Sequence, residues 1–119
     1  MLNFLQHDDF IREYEAFAAK YHCHKDFEFL KKLLLVHYDP IKPIQVIGPG
    51  KLHRVKECEG WVLWKIEMAV KGLRKNQSPR VWFAIEGDTL AFLTIKSHID
   101  NYDTNQADRL AEGRVTDIF

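Results

Sequence analysis

The residues best suited to chemistry are unevenly placed along this chain. From Lys42 to Arg80, nine basic residues (Lys42, Lys51, Arg54, Lys56, Lys65, Lys71, Arg74, Lys75 and Arg80) stand against three acidic ones, a local charge of +6. The stretch before it holds five basic and seven acidic residues (−2), and the stretch after it three and seven (−4). A basic middle between acidic ends is the footprint of a phosphate-binding face. A solvated surface gives the same count, because 17 basic residues balance 17 acidic ones over the whole chain. His22-Cys23-His24 offers metal-ligand types. Ligands at i and i+2 cannot close a tetrahedral site unaided, and no second pair follows nearby, so a polar turn is the expectation. Cys23 and Cys58 lie far apart and make neither a disulfide framework nor a zinc pattern; they read as buried or idle thiols.

At 119 residues and 14.0 kDa, the chain has room for one domain, residues 1–119. With 46% hydrophobic and 29% charged residues it has the balance of a folded domain and not of a disordered one. Its longest apolar run, Leu33-Leu34-Leu35-Val36, is far short of the roughly 20 residues of a membrane span. Acid at Asp8 and Asp9 stands where a signal peptide continues its apolar core, so a cytoplasmic, membrane-free protein is expected.

The elements that must position these cations follow from periodicity. Leu2–Gln6 reads as a short strand, and Asp8 or Asp9 as the N-cap of a helix. Phe10, Tyr14, Phe17 and Tyr21, with Ile11 and Ala18 beside them, form one apolar stripe, which is read as core. Asp26 reads as the cap of a second helix, whose broad apolar face takes Phe27, Leu30 and Leu34 with Phe29, Leu33 and Val36; Asp39-Pro40 ends it. Pro43, Gly48, Pro49 and Gly50 punctuate a loop, after which the period becomes two. Lys51–Lys56 is a strand in which alternation sets Arg54 and Lys56 on one face and Val55 on the other. Trp61–Val70 is the next, with Val62, Trp64, Ile66 and Met68 opposite Lys65 and Glu67. Lys71–Pro79 is a polar loop; Arg80–Ile85 and Leu90–Lys96 flank the turn signal Glu86-Gly87-Asp88. A short helix fits Asn105–Arg114. The expected fold is α+β: an N-terminal helical hairpin packed on a small antiparallel β-meander.

Three segments carry a resemblance to a known family. Gly60-Trp61-Val62-Leu63-Trp64-Lys65-Ile66, then Pro79-Arg80-Val81-Trp82-Phe83-Ala84-Ile85-Glu86-Gly87-Asp88, then Leu93-Thr94-Ile95-Lys96-Ser97-His98 with Tyr102, Ala107 and Arg109, resemble the three meander strands of the RelE/ParE superfamily of type II toxins. Phe10 and the two helices are similar to its N-terminal half, so the resemblance spans most of the chain. It implies a toxin that acts as a ribosome-dependent endoribonuclease on messenger RNA and is silenced by a cognate antitoxin, or a ParE-like poison of DNA gyrase. In the nuclease members the ribose 2′-oxygen attacks the adjacent phosphorus and expels the 5′-oxygen, with no metal and no cofactor. Such a site needs cations for the phosphorane and a group that moves a proton.

By the same resemblance Arg80 faces phosphate, a task suited to a planar and permanently charged fork. Lys51, Arg54 and Lys56 match the basic first strand of the meander, and Lys65 the basic position of the central strand. His98 matches the position after the last strand where family members place catalytic residues, and histidine as a residue type suits proton transfer near neutrality. Tyr102 stands nearby, and Arg74 belongs to a loop that could reach RNA. Glu67 and Met68 depart from the family, which often has arginine there; Glu67 would then be the general base. Each assignment has an alternative. Arg80 could pair with Glu67, the strand lysines could be a solvated face, His98 could cap the strand end beside Asp100, and Tyr102 could pack on the terminal helix. A third reading is an interaction domain with Trp61 or Trp82 exposed. A fold of this kind without nuclease activity, binding only an antitoxin, is the other alternative.

Overall fold

The computed structural model describes residues 1–119, and its strands alternate in a way that gives the sheet two covered faces. Strand β1 (Asn3–Gln6) leads into helices α1 (Asp8–Tyr21) and α2 (His24–His37). Strands β2 (Leu52–Cys58), β3 (Trp61–Glu67), β4 (Arg80–Glu86) and β5 (Thr89–Lys96) follow, and helix α3 (Thr104–Ile118) closes the chain. Short 3₁₀ turns lie at Lys75–Gln77 and His98–Asp100. The α+β expectation holds, and β2 to β5 form the antiparallel meander. The whole sheet is mixed, however. Its order is β1-β5-β4-β3-β2, with β1 parallel to β5 and Asn3 opposite Thr89.

The near-continuous apolar runs of β4 and β5 explain the layering, since strands covered on both sides cannot alternate apolar with polar. Val81, Phe83 and Phe92 point to the hairpin side, where Phe10, Tyr14 and Phe17 of α1 meet Phe27, Leu30 and Leu34 of α2. Phe92 lies 5.6 Å from Phe10 and 5.0 Å from Phe27, ring centre to ring centre. Trp82, Ala84, Ala91 and Leu93 point the other way, with Leu63, under Ala107, Ala111 and Val115 of α3. The terminal helix is thus longer than the Asn105–Arg114 expected and covers its own face of the sheet. Gly87 holds φ +60° in the β4–β5 turn, a conformation that L side chains adopt only with strain.

Several boundaries differ from the sequence reading. The N-cap of α1 is His7, whose Nδ1 accepts from the Asp9 amide, so Asp8 and Asp9 lie in the first turn. Helix α2 starts at His24 behind Cys23 and not at Asp26, because left-handed His22 turns the chain in two residues. Cys23 is fully buried within the link. Arg54 and Lys56 do not share a face. A bulge at Val55 sets Arg54 opposite Trp64 and Lys56 opposite Leu63, and those two β3 neighbours point to opposite sides. Trp82 is fully buried, which removes it as an exposed contact surface; Trp61 is half-buried.

Candidate functional site

Strand register builds the site. Arg80, first residue of β4, stands opposite Glu67 of β3 and Lys96 of β5. Directly opposed residues point to the same side of a sheet, so these three share the α3 face at one end of the strands. The Lys96 position depends on a bulge between Trp82 and Phe83; a regular hairpin with Glu86 opposite Thr89 would have set Arg80 opposite Ile95. Arg80 Nη1 donates to the Ser78 carbonyl at 3.2 Å and makes no ion pair, so its partnership with Glu67 is one of register alone. Lys96 Nζ is 3.8 Å from a Glu13 oxygen.

Beyond Lys96 the chain folds back over this end. The buried Ser97 hydroxyl donates to the Gln77 carbonyl (2.8 Å) and accepts from the Ile99 amide (3.2 Å). One side chain thereby starts the His98–Asp100 turn and ties the 71–79 loop to the strand end. Asn101, in the left-handed region, and the N-cap Asp103 then turn the chain into α3.

The result is an aromatic column. Exposed His98 stacks on Tyr102 (5.0 Å, 19°), and Tyr102 meets Trp82 edge to face (5.9 Å, 86°). Trp82 Nε1 donates to Asp108 Oδ1 at 2.8 Å. Lys65 Nζ lies 3.4 Å from the same oxygen and 5.8 Å from the Trp82 ring centre, a cation–π contact. Burial pushes the Tyr102 phenol above its ordinary value, and Arg80 and Thr104 only partly oppose this, so Tyr102 is a neutral hydroxyl at pH 7.

The candidates from the sequence therefore divide. Arg80, Glu67, Lys65, His98 and Tyr102 are brought to one face and end of the sheet. His98 does not cap a strand end with Asp100; Ser97 holds that turn, and the imidazole faces solvent on Tyr102. Lys56 is on the same face but hydrogen-bonded to Glu112 of α3, which pushes its ammonium up. Arg54 is on the other face and pairs with Glu57 at 3.1 Å. Lys51 precedes β2 and lines an apolar groove of about 250 Å³ with Asp26 and Phe29 of α2, away from the others. Arg74 is exposed at the start of the Lys75–Gln77 turn.

Sequence reasoning missed Lys96, Trp82, Asp108 and Glu112 as members of this face. The one available signal was the spacing of Asp108 and Glu112, four apart on a helix and hence on one side of it. Chemically, the site offers two cations side by side, of which Arg80 has no ion pair, an unpaired carboxylate next to them, and a solvent-facing imidazole on an aromatic support. That set suits a phosphodiester with an unpaired base better than a neutral ligand. No protein-family model, no curated protein and no solved structure matches this chain.

Proposed function

We propose that this domain binds single-stranded RNA at the Arg80–Lys96 end of its sheet and cleaves it without a metal, as a ribosome-dependent endoribonuclease toxin of RelE/ParE type. The observation that carries the reading is the pairing of Arg80 with Lys96 across β4 and β5, at the strand ends from which His98 and Tyr102 emerge. In this reading Arg80 and Lys96 neutralise the charge gained as the 2′-oxygen bonds to phosphorus. His98 exchanges the proton, with Glu67 as the second titratable group; the phosphorus–5′-oxygen bond breaks, leaving a 2′,3′-cyclic phosphate and a 5′-hydroxyl. The partners are messenger RNA on the ribosome and an antitoxin.

Cutting of messenger RNA in a purified translation system tests this. Arg80→Ala and His98→Ala each lower the rate by about a hundredfold or more; equal cutting by all three proteins removes the site. Growth arrest on induction, lost in both variants, gives the same answer in cells.

A second reading is a binding protein of this fold without nuclease activity, a gyrase poison or a partner of an antitoxin alone. It is favoured by the pairing of Lys56 with Glu112 and of Lys65 with Asp108, which leaves β2 and β3 without a free cation on the α3 face. Inhibition of supercoiling by purified gyrase, with messenger RNA intact, selects it.

A further inference from the structure

The α3 side of the sheet carries one cation on each of four adjacent strands. Lys96 of β5 opposes Arg80 of β4. Lys65 of β3 is two residues before Glu67, the other partner of Arg80. Lys56 of β2 opposes Leu63, two residues before Lys65. Alternation puts all four on one side, in a row that steps diagonally across the sheet in strand order.

Helix α3 treats the two halves of this row differently. Asp108 lies on Lys65 and Glu112 on Lys56. The two carboxylates are four residues apart, about 6 Å along the helix axis, so they project from one side of α3 like successive charges on a strand. Lys96 and Arg80 receive no carboxylate from α3; the Lys96 contact is to Glu13 of α1. Of the two covered pairs the outer one is the more open, since Lys65 and Asp108 are only 20% and 26% exposed and Asp108 also accepts from Trp82. Lys56 and Glu112 are 45% and 39% exposed, and ion pairs so open to water are weak. What keeps α3 in place is elsewhere, in Ala107, Ala111, Val115 and Arg114.

We propose that Asp108 and Glu112 are built-in phosphate mimics. They close the Lys65–Lys56 half of a single-stranded RNA path, and RNA that docks on Arg80 and Lys96 extends along the row by taking their place. This rests on the RNA reading above and adds to it a self-imposed limit on affinity.

The test is fluorescence anisotropy of a labelled short oligouridylate over a salt series, with the full-length chain. Asp108→Asn with Glu112→Gln keeps an oxygen for Trp82 Nε1 and removes both charges. It binds about tenfold tighter at low salt, and its log–log salt slope steepens by about 1.4, the value for two added phosphate contacts on a single strand. Glu15→Gln with Glu28→Gln, the same charge change on the hairpin helices, leaves slope and affinity unchanged. Should the double variant melt early, Glu112→Gln alone gives about half the change in slope. A slope equal to wild type, or equal tightening by the Glu15/Glu28 variant, overturns the proposal. Wild type that cuts messenger RNA beside an unaltered slope sinks the mimicry and keeps the nuclease. Binding by the Asp108/Glu112 variant alone keeps the mimicry and sinks the wild-type nuclease. No binding by any of the proteins overturns both.

Discussion

Glu13 and Arg114, 101 residues apart, join the two helical layers around the sheet. Arg114 Nη1 donates to Glu13 Oε1 (2.7 Å) and to the Leu93 carbonyl (2.8 Å), and Nη2 donates to Glu13 Oε2 (3.0 Å). Strand β1 covers β5 only as far as Phe92, so this fork lies where the edge of β5 is bare. It satisfies a carbonyl that no strand reaches and links α1 to α3 at the same time. Thr94 Oγ1 adds a bond to Glu13 at 2.7 Å. Arg114→Ala leaves the Glu13 carboxylate half-buried without its fork and costs about 3 kcal/mol. Urea denaturation measures it, and Glu13→Gln also lowers stability, because Arg114, 11% exposed, then has only Asp9 at 4.0 Å as a counter-charge.

The same carboxylate sets an acid limit. Burial works to raise the Glu13 carboxyl, but the Arg114 and Thr94 hydrogen bonds and the charges of Arg114 and Lys96 outweigh it and hold the group below its ordinary 4.5. Its stabilising effect is therefore complete above pH 4.5, where the unfolded chain is also ionised, and is lost as pH falls through the lower folded value. Melting temperatures of wild type and Glu13→Gln, well apart at pH 6, converge below pH 4.5.

His37 gives a second pH dependence at a higher value. Its Nδ1 accepts from the Val46 and Ile47 amides, each at 3.3 Å, and burial lowers it from the ordinary 6.5. Below pH 6.5 the released loop takes up a proton that the docked loop refuses, so docking weakens as pH falls. Protection factors at Val46 and Ile47, which divide out the pH dependence of intrinsic amide exchange, fall from pH 7 to pH 5.5. His37→Ala makes them low and flat across that range.

Phe92 is the fully buried centre of the hairpin-side aromatic cluster, in contact with Phe4, Phe10 and Phe27. Phe92→Ala costs about 3–5 kcal/mol. Thermal or urea melting reads this directly, and a loss under about 1 kcal/mol would contradict the packing.

Geometry and sequence disagree most usefully over Lys96 and Arg54. Under the proposed RNA reading, Lys96→Ala weakens RNA binding as much as Arg80→Ala does, whereas Arg54→Ala has little effect, its side chain being on the other face and paired with Glu57. Binding titrations of the three variants decide between the observed face and the one that plain alternation suggests.

Helices and strands were legible because burial imposes periods of 3.6 and 2: the Phe10–Tyr21 stripe and the Val62–Ile66 alternation announce themselves. The face assignments that make the site were not. Both depend on bulges, at Val55 and between Trp82 and Phe83, each of which adds one residue to a strand with no glycine or proline to mark it. The caps failed for a related reason. Asp8, Asp9 and Asp26 are good cap residues, but the tight links through His7 and His22-Cys23 start each helix earlier than the aspartates would. The far-side role of α3 was hidden because its buried stripe is Ala107, Ala111 and Val115, too small to stand out from a polar tail.

The parallel pairing of β1 with β5 has a consequence for biosynthesis. Asn3 waits for Thr89, so during translation the first strand emerges long before its only neighbour in the sheet exists. Phe10, Phe17 and Leu34 meanwhile lack the strands that cover them, and a nascent chain in that state is open to misassociation. Ordering of the β1 amides and closure of the hairpin-side core are thus late events. Ribosome-arrested nascent chains ending before Thr89 would keep an exposed apolar helical pair, and those extended well past Lys96 would not.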